Sequence, residues 1–493
     1  MVFFRLPTLR SLLFSLLFIG YNQNSLAYDA TWESLDSRPL PAWYDDAKFG
    51  IFIHWGVFSV PAFGTEWFWE RWKNPKFPEF ADFVKKSEKP GFAYPDYAHR
   101  FDALFYEPNE WATIFSKSGA QYIVLTSKHH EGFCNWDSRD IPTTWNWNSM
   151  EIGPRRDLVG ELATAIKNTS SPQTGNRLRF GLYHSLFEWF NPIFHADVSA
   201  NFTTQTFVDT KTMPELYDLV KRYEPELIWS DGDPAHSDYW KSKEFLAWYA
   251  TNSTVADTAV WNDRWGSDAG CKHGSFWNCA DRFRPDGVVE HKWENCFTID
   301  TTSWGMNRIS KYEQYQNATS LIHLLIETVA FGGNLLLNVG PAADGTIHPI
   351  FVDRLMGIGQ WLTVNGEGVY GTKPWKVCQN ETAANVYYTT KDEILYAHFR
   401  IWPENDVIVL ECPIAKDDTE VRMLGLPSGP GLEWQTVGTD RDSRRLHGSN
   451  AGVSGIQVQL PPLTPSKIPC QHAWVLAFTN IANIKVKVQD NST

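Results

Sequence analysis

Positive charge is in short supply in this 493-residue chain. Lys and Arg number 44 against 57 Asp and Glu, a net charge of −13. That sign argues against nucleic acid or an anionic membrane surface as the main partner. Cysteine is also scarce, with seven residues: Cys134, Cys271, Cys279, Cys296, Cys378, Cys412 and Cys470. An odd count leaves at least one thiol free or bound to another chain. Cys271 and Cys279 are close enough for a local bridge, but the spacing matches no familiar zinc pattern, and the pairing is not legible from sequence. No Gly-x-Gly-x-x-Gly follows the first apolar run, so nothing marks a dinucleotide site. No His-Glu-x-x-His appears, and no internal repeat or low-complexity tract interrupts the chain. Beyond the first 27 residues no run is long and apolar enough to span a bilayer, so no membrane anchor is expected. What is abundant is aromatic: 24 Trp within a Phe, Trp and Tyr share of 15%. Hydrophobic residues at 43% and charged residues at 20% describe a folded globular protein.

The N-terminus has the layout of a cleaved secretory signal. Arg5 and Arg10 precede an apolar run at 11–20 (SLLFSLLFIG), and Ser25 and Ala27 are small residues at the two positions a signal peptidase reads. Cleavage after residue 27 is therefore expected, with a lysosomal or extracellular destination. Six Asn-x-Ser/Thr sequons, at Asn168, Asn201, Asn252, Asn317, Asn380 and Asn491, agree with that route.

The length calls for two domains. Short apolar runs at 50–54, 122–126, 180–183, 227–229, 258–261, 291–298 and 334–338 read as strands. Helical patterns at 107–118, 158–166, 214–223 and 312–330 lie between them. That alternation predicts a parallel sheet, and its number of strands favours closure into a (β/α)8-like barrel over residues 28–372. From residue 373 the pattern changes to strands separated by Pro, Gly and Asp turns, at 393–402, 407–410, 456–460 and 473–478. An all-β sandwich is expected over 373–493.

Barrels of this kind carry their chemistry at the C-terminal ends of the strands. Polar residues collect there: His54, then Lys128, His129, His130 and Glu131, then Tyr183 and His184, then Asp231, then Asn262, Asp263 and Arg264. Asp281, Glu290 and Glu294 come next along the chain. Each alone has a structural explanation as a turn or a satisfied polar group. Five successive strands delivering such groups to one rim is the stronger signal.

These residues sit in segments that resemble the α-L-fucosidases, a family of retaining glycoside hydrolases. The matching segments are 43–56 (WYDDAKFGIFIHWG), 65–72 (TEWFWERW), 126–134 (TSKHHEGFC), 227–233 (LIWSDGD), 262–266 (NDRWG), 291–305 (HKWENCFTIDTTSWG) and 332–341 (GGNLLLNVGP). The resemblance implies a catalytic barrel with a C-terminal β-sandwich, no cofactor and no metal, and a fucosylated glycan as substrate. It implies Asp231 as nucleophile and Asp281, on the loop after Asn-Asp-Arg-Trp, as acid/base, with Glu294 as the alternative. It further implies that His54, Glu66, Trp67, His129, His130, Tyr183 and Arg264 contact the sugar while Trp229 shapes the pocket. Family members often place Tyr after the Trp-Gly pair where this chain has Met306, which bears on the wall facing the leaving group. Two other readings remain: a metal-dependent hydrolase built on His54, His129, His130, His184 and Asp231, and a lectin-like protein that binds sugar without cleaving it. Adjacent histidines on one strand make poor partners for a single metal. Linkage preference, disulfide pairing and any homo-oligomer are not legible in the sequence.

Overall fold

The computed structural model describes residues 27–232, 234–427, 429–438 and 454–485. The expected signal segment up to residue 26, Asp233 and the sequon at Asn491 lie outside the described residues.

Seven strands form one parallel sheet: β1 (Phe49–Ile53), β2 (Tyr122–Lys128), β3 (Arg179–Ser185), β4 (Leu227–Asp231), β5 (Val260–Trp261), β6 (Glu294–Thr298) and β7 (Asn334–Val339). Their order is β5-β4-β3-β2-β1-β7-β6. β1, β2 and β7 are buried at every residue, because helices cover one face and the barrel interior fills the other. The interior holds Tyr44, Phe52, Tyr122, Tyr183, Trp229 and Phe276 among others. Gly50 has to be glycine here, since a Cβ would sit 2.5 Å from the Tyr122 ring.

The sheet has seven strands where eight were expected, and it does not close fully. β5 and β6 do not pair directly; residues 275–278 lie between them. The N–H groups of Ser275 and Phe276 donate to the Trp261 carbonyl at 2.9 and 3.3 Å, Trp277 N–H donates to Lys292 O at 2.9 Å, and Glu294 N–H donates to Trp277 O at 2.9 Å. Only the Trp277–Trp293 bridge has strand geometry. The chain leading into this bridge carries the Cys271–Cys279 disulfide.

Two expected helices differ in detail. The predicted 312–330 segment divides into a short 3-10 turn, Tyr312–Gln314, and helix Ala318–Ala330, because the Asn317 side chain caps the latter by accepting Ser320 N–H at 2.9 Å. The predicted helix from 214 is preceded by a π-helical segment, Val208–Thr212, that runs into Met213–Tyr223.

The C-terminal strands are β8 (Lys373–Pro374), β9 (Asn380–Glu381), β10 (Val386–Lys391), β11 (Ile394–Phe399), β12 (Val407–Leu410), β13 (Glu420–Met423), β14 (Trp434–Gly438), β15 (Ser454–Gln459) and β16 (Trp474–Thr479). They make two antiparallel sheets, β13-β16-β11-β10-β8 with β9 added on β10, and β12-β15-β14. Side-chain alternation divides the first sheet between two neighbours. Val386 and Tyr388 point into a core shared with Ile408, Leu410, Ile456 and Val458 of the second sheet, whereas Tyr387, Tyr396 and Val475 join the core of the barrel. Trp361, in helix Pro349–Asn365, fastens the seam by donating its indole N–H to Ala473 O at 2.9 Å. A second disulfide, Cys378–Cys412, lies in this unit, and Cys134, Cys296 and Cys470 are free. Among the described residues no helix is long and apolar enough to cross a membrane.

Candidate active site

The C-terminal ends of the strands surround a cavity of about 680 Å³. His54, Glu66, Trp67, His129, His130, Tyr183, Trp229, Asp231, Arg264 and Asp281 all line it. Of the residues singled out from the sequence for catalysis or sugar contact, only Glu294 does not.

Asp231 is the last residue of β4. Tyr183 O–H donates to its Oδ2 at 2.9 Å, His130 Nε2 lies 3.4 Å from the same oxygen, and Arg264 Nη1 lies 3.8 Å from Oδ1. Burial alone would raise this carboxyl. His130, Arg264 and Tyr183 outweigh burial and hold it well below the usual carboxylate range. The result is an ionised carboxylate at neutral pH, on a rigid strand end, facing a cavity.

Arg264 also reaches the second candidate carboxylate, with Nη2 2.5 Å from Asp281 Oδ1, while its guanidinium lies 4.6 Å from the Trp229 ring centroid. One cation thus links Asp231 and Asp281 across the cavity. The Asp281 side chain is 51% exposed, at the cavity rim.

Glu294 is placed elsewhere. As the first residue of β6 it lies toward the N-terminal ends of the strands, beneath Trp229. Its carboxyl accepts from Tyr44 O–H and Tyr122 O–H at 2.7 Å each, Trp229 Nε1–H at 3.0 Å and Asn278 Nδ2–H at 3.2 Å. It is 0% exposed and burial pushes its carboxyl up. Four donors occupy it, one of them from the cavity-lining Trp229, and its own side chain does not line the cavity, a placement suited to anchoring the barrel floor rather than to proton transfer.

Glu66 accepts from Ser303 Oγ–H and Trp304 N–H, both at 3.0 Å. Burial would raise its carboxyl, but His129, His54 and the backbone donors outweigh burial and lower it. His54 follows β1 and pairs through Nδ1 with Asn338 Oδ1 of β7 at 2.7 Å; burial and neighbouring His129 bring it down to about 4. His129 falls to about 3 for the same two kinds of reason, burial and His130. Glu131, 3.4 Å from His129 Nδ1, is pushed up to about 8 by burial. Neutral imidazoles suit hydrogen bonding to uncharged sugar hydroxyls. His130 differs. Ser185 Oγ–H donates to Phe187 O at 2.7 Å, so it accepts from His130 Nδ1–H at 2.6 Å, and Nε2 is left facing Asp231.

Several contributions were not assigned from the sequence. Asn262 holds Ser230, accepting from its N–H at 2.9 Å and its Oγ–H at 3.0 Å and donating to its carbonyl at 2.9 Å. Trp304 and Phe187 complete the cavity wall. Met306 does not line it and packs against the barrel core. Lys128 and His184, expected at the rim, instead point away into a buried network. Lys128 Nζ meets Glu215 at 2.6 Å and Glu188 at 3.0 Å, Lys211 meets the same two at 2.8 and 3.2 Å, and His184 Nε2 lies 3.4 Å from Glu215.

Among the described residues, the groups with three ligand-type atoms together are Asp263 with Cys271 and Cys279, and Glu381 with Cys378 and Cys412. Each contains a disulfide pair, whose sulfurs are not thiolate ligands. The cavity histidines form no such group with Asp231.

A barrel with a buried, ionised carboxylate at the end of its fourth strand and a β-sandwich behind it has close counterparts. The alpha-L-fucosidase family model matches residues 16–367, and that of the alpha-L-fucosidase C-terminal domain matches 379–479. Tissue alpha-L-fucosidase of Homo sapiens is 46% identical over 490 residues, covering 97% of this chain and 100% of the human protein. Plasma alpha-L-fucosidase of Homo sapiens is 48% identical over 458 residues, 92% of this chain and 93% of that one. The crystal structure of Thermotoga maritima alpha-fucosidase in complex with fucose has a TM-score of 0.74 at 31% identity, covering 92% of this chain and all of that one. With sequence, both domain models and the barrel-plus-sandwich architecture in agreement, the chain belongs to the alpha-L-fucosidase family.

Proposed function

We propose that the protein is a retaining exo-α-L-fucosidase that releases terminal fucose from glycans, with Asp231 as nucleophile and Asp281 as acid/base. The carrying observation is the pair of carboxylates facing one cavity and bridged by Arg264. In the first step Asp231 Oδ attacks the anomeric carbon while Asp281 gives a proton to the departing oxygen. In the second, Asp281 takes a proton from water, which displaces Asp231 and restores the original configuration. A low Asp231 pKa keeps the nucleophile charged, and Tyr183 and Arg264 stabilise it again when it leaves. Neutral His54 and His129, with Glu66, are suited to the sugar hydroxyls, and Trp67, Trp229 and Trp304 to its apolar face. Support for a lysosomal or extracellular location comes from the N-terminal signal pattern and from the tissue and plasma relatives. The proposed division between the two domains stays at about residue 372, and the pairing of β8 with β10 just after it supports that reading.

The test is hydrolysis of an aryl α-L-fucoside. Asp231→Gly abolishes turnover, and azide restores product. Asp281→Ala loses the basic limb of the pH–rate profile, and Glu294→Gln keeps it. Near-wild-type rates in Asp231→Gly would sink the nucleophile assignment. A fucose-binding protein with no turnover at all would support the lectin reading instead.

A further inference from the structure

Asp263 has no place in the reaction, yet its carboxylate is completely buried beside the cavity. It accepts three backbone N–H groups: Cys271 at 2.7 Å, Asn278 at 2.9 Å and Cys279 at 3.0 Å. Cys271 and Cys279 are also joined through sulfur. The loop between them runs straight into Asp281. Both cysteines and Arg282 adopt positive φ, at 56°, 54° and 58°, a region that non-glycine residues occupy only when their surroundings enforce it. On the far side of Asp281, Arg282 N–H donates to Cys296 O of β6 at 3.1 Å, and its guanidinium donates to Thr298 Oγ1 at 3.0 Å. The backbone of Asp281 is therefore held between two anchors, while its carboxyl meets Arg264.

We propose that Asp263 and the Cys271–Cys279 bridge form a clamp that places Asp281 at the cavity rim, which makes Asp263 a positioning residue for proton donation to the leaving group. The proposal rests on the assignment of Asp281 as acid/base. Its physical content is that proton transfer depends on sub-ångström placement, whereas attack by Asp231, held on β4, does not depend on this loop. The clamp also belongs to an oxidising compartment, since the bridge does not persist among cytosolic thiols.

Leaving groups separate proton donation from nucleophilic attack. α-L-Fucosyl fluoride needs little help from a proton donor, and an alkyl α-L-fucoside needs full help. Asp263→Asn and the double variant Cys271→Ser/Cys279→Ser are compared with wild type by kcat/KM on both substrates and by pH profile. The double variant leaves Cys378–Cys412 intact, which a chemical reductant would not. We expect each variant to lose about tenfold or more on the alkyl fucoside, with a displaced basic limb, and to stay within about threefold on the fluoride. Equal losses on both substrates, or none on either, overturn the clamp. Asp281→Ala serves as the reference. If it is selective for the alkyl substrate and the clamp variants are not, the clamp alone fails. If it is not selective, the acid/base assignment fails and the clamp with it. Two chemically independent variants keep the result readable if one of them does not fold.

Discussion

Asn262, Asp263 and Arg264 are consecutive, yet each grips a different part of the site. Asn262 takes over where β5 stops pairing with β4, replacing backbone partners of Ser230 with its own amide. Asp263 holds the loop before Asp281, and Arg264 touches both carboxylates. Because Ser230 immediately precedes Asp231, Asn262 acts on the nucleophile. Asn262→Ala should therefore lower kcat/KM by about tenfold on fucosyl fluoride and alkyl fucoside alike, unlike the Asp263 variant. It should also cost about 1–3 kcal/mol in denaturant unfolding, since it leaves buried polar groups of Ser230 unpaired. A leaving-group-dependent loss would contradict this division of labour. Arg264 was singled out because it lies in the NDRWG segment at 262–266 that carries the family resemblance. The tasks of Asn262 and Asp263 were not legible in the sequence, because their partners are main-chain atoms on other segments. Glu294 misled for the opposite reason: it is near the site in sequence, but as the first residue of its strand it faces the closed end of the barrel.

The elements around β2 and β3 show how a strand end is kept rigid. Side chains alternate, so His129 faces the cavity while Lys128 is buried on the other side, against β3 and helix Met213–Tyr223. The π-helical segment Val208–Thr212 brings Lys211 to the same place. Two ammonium groups and two carboxylates balance there, almost wholly buried. Removing one partner leaves an uncompensated buried charge, which costs more than the pair contributes. Lys128→Met is expected to destabilise by about 3–5 kcal/mol in equilibrium unfolding. Adding Glu215→Gln should restore part of that loss, since the surplus negative charge is removed. If the double variant is as unstable as the sum of the two single variants, the ionic account is wrong. From the sequence, Lys128 and His184 were visible as strand-end polar residues, but which side of the sheet they served depended on the register of β2 with β3, which shifts between Thr126 and Lys128.

At the scale of the molecule, alternating strands and helices announced the barrel and the change of pattern after residue 372 announced the sandwich. The incomplete closure was hidden, because a single bridging residue has no periodicity. The seam between the two units carries its own titratable group. His398 of β11 is buried, and its Nε2–H donates to Thr389 Oγ1 at 3.0 Å, because Thr389 gives its own hydrogen to Gly368 O at 2.8 Å at the end of the barrel. Nδ1 has no partner. A proton there would be desolvated, and burial brings the imidazole down to about 4. In the unfolded chain the same ring titrates at about 6.5. Between those values the unfolded state binds the extra proton, so acidification from about 6.5 to about 4 removes stability, at up to about 1.4 kcal/mol per pH unit, and above 6.5 nothing is lost. His54, His129 and His184 carry the same sign, but they lie at or beneath the cavity, whereas His398 is remote from it. In His398→Gln the seam bond to Thr389 can be kept while the titration disappears. Its unfolding free energy should therefore gain on wild type by up to about 3 kcal/mol as pH falls from 6.5 to 4, with kcat/KM unaffected. A difference between the two proteins that stays constant across that range would mean that His398 is already solvated, and that the seam opens without it.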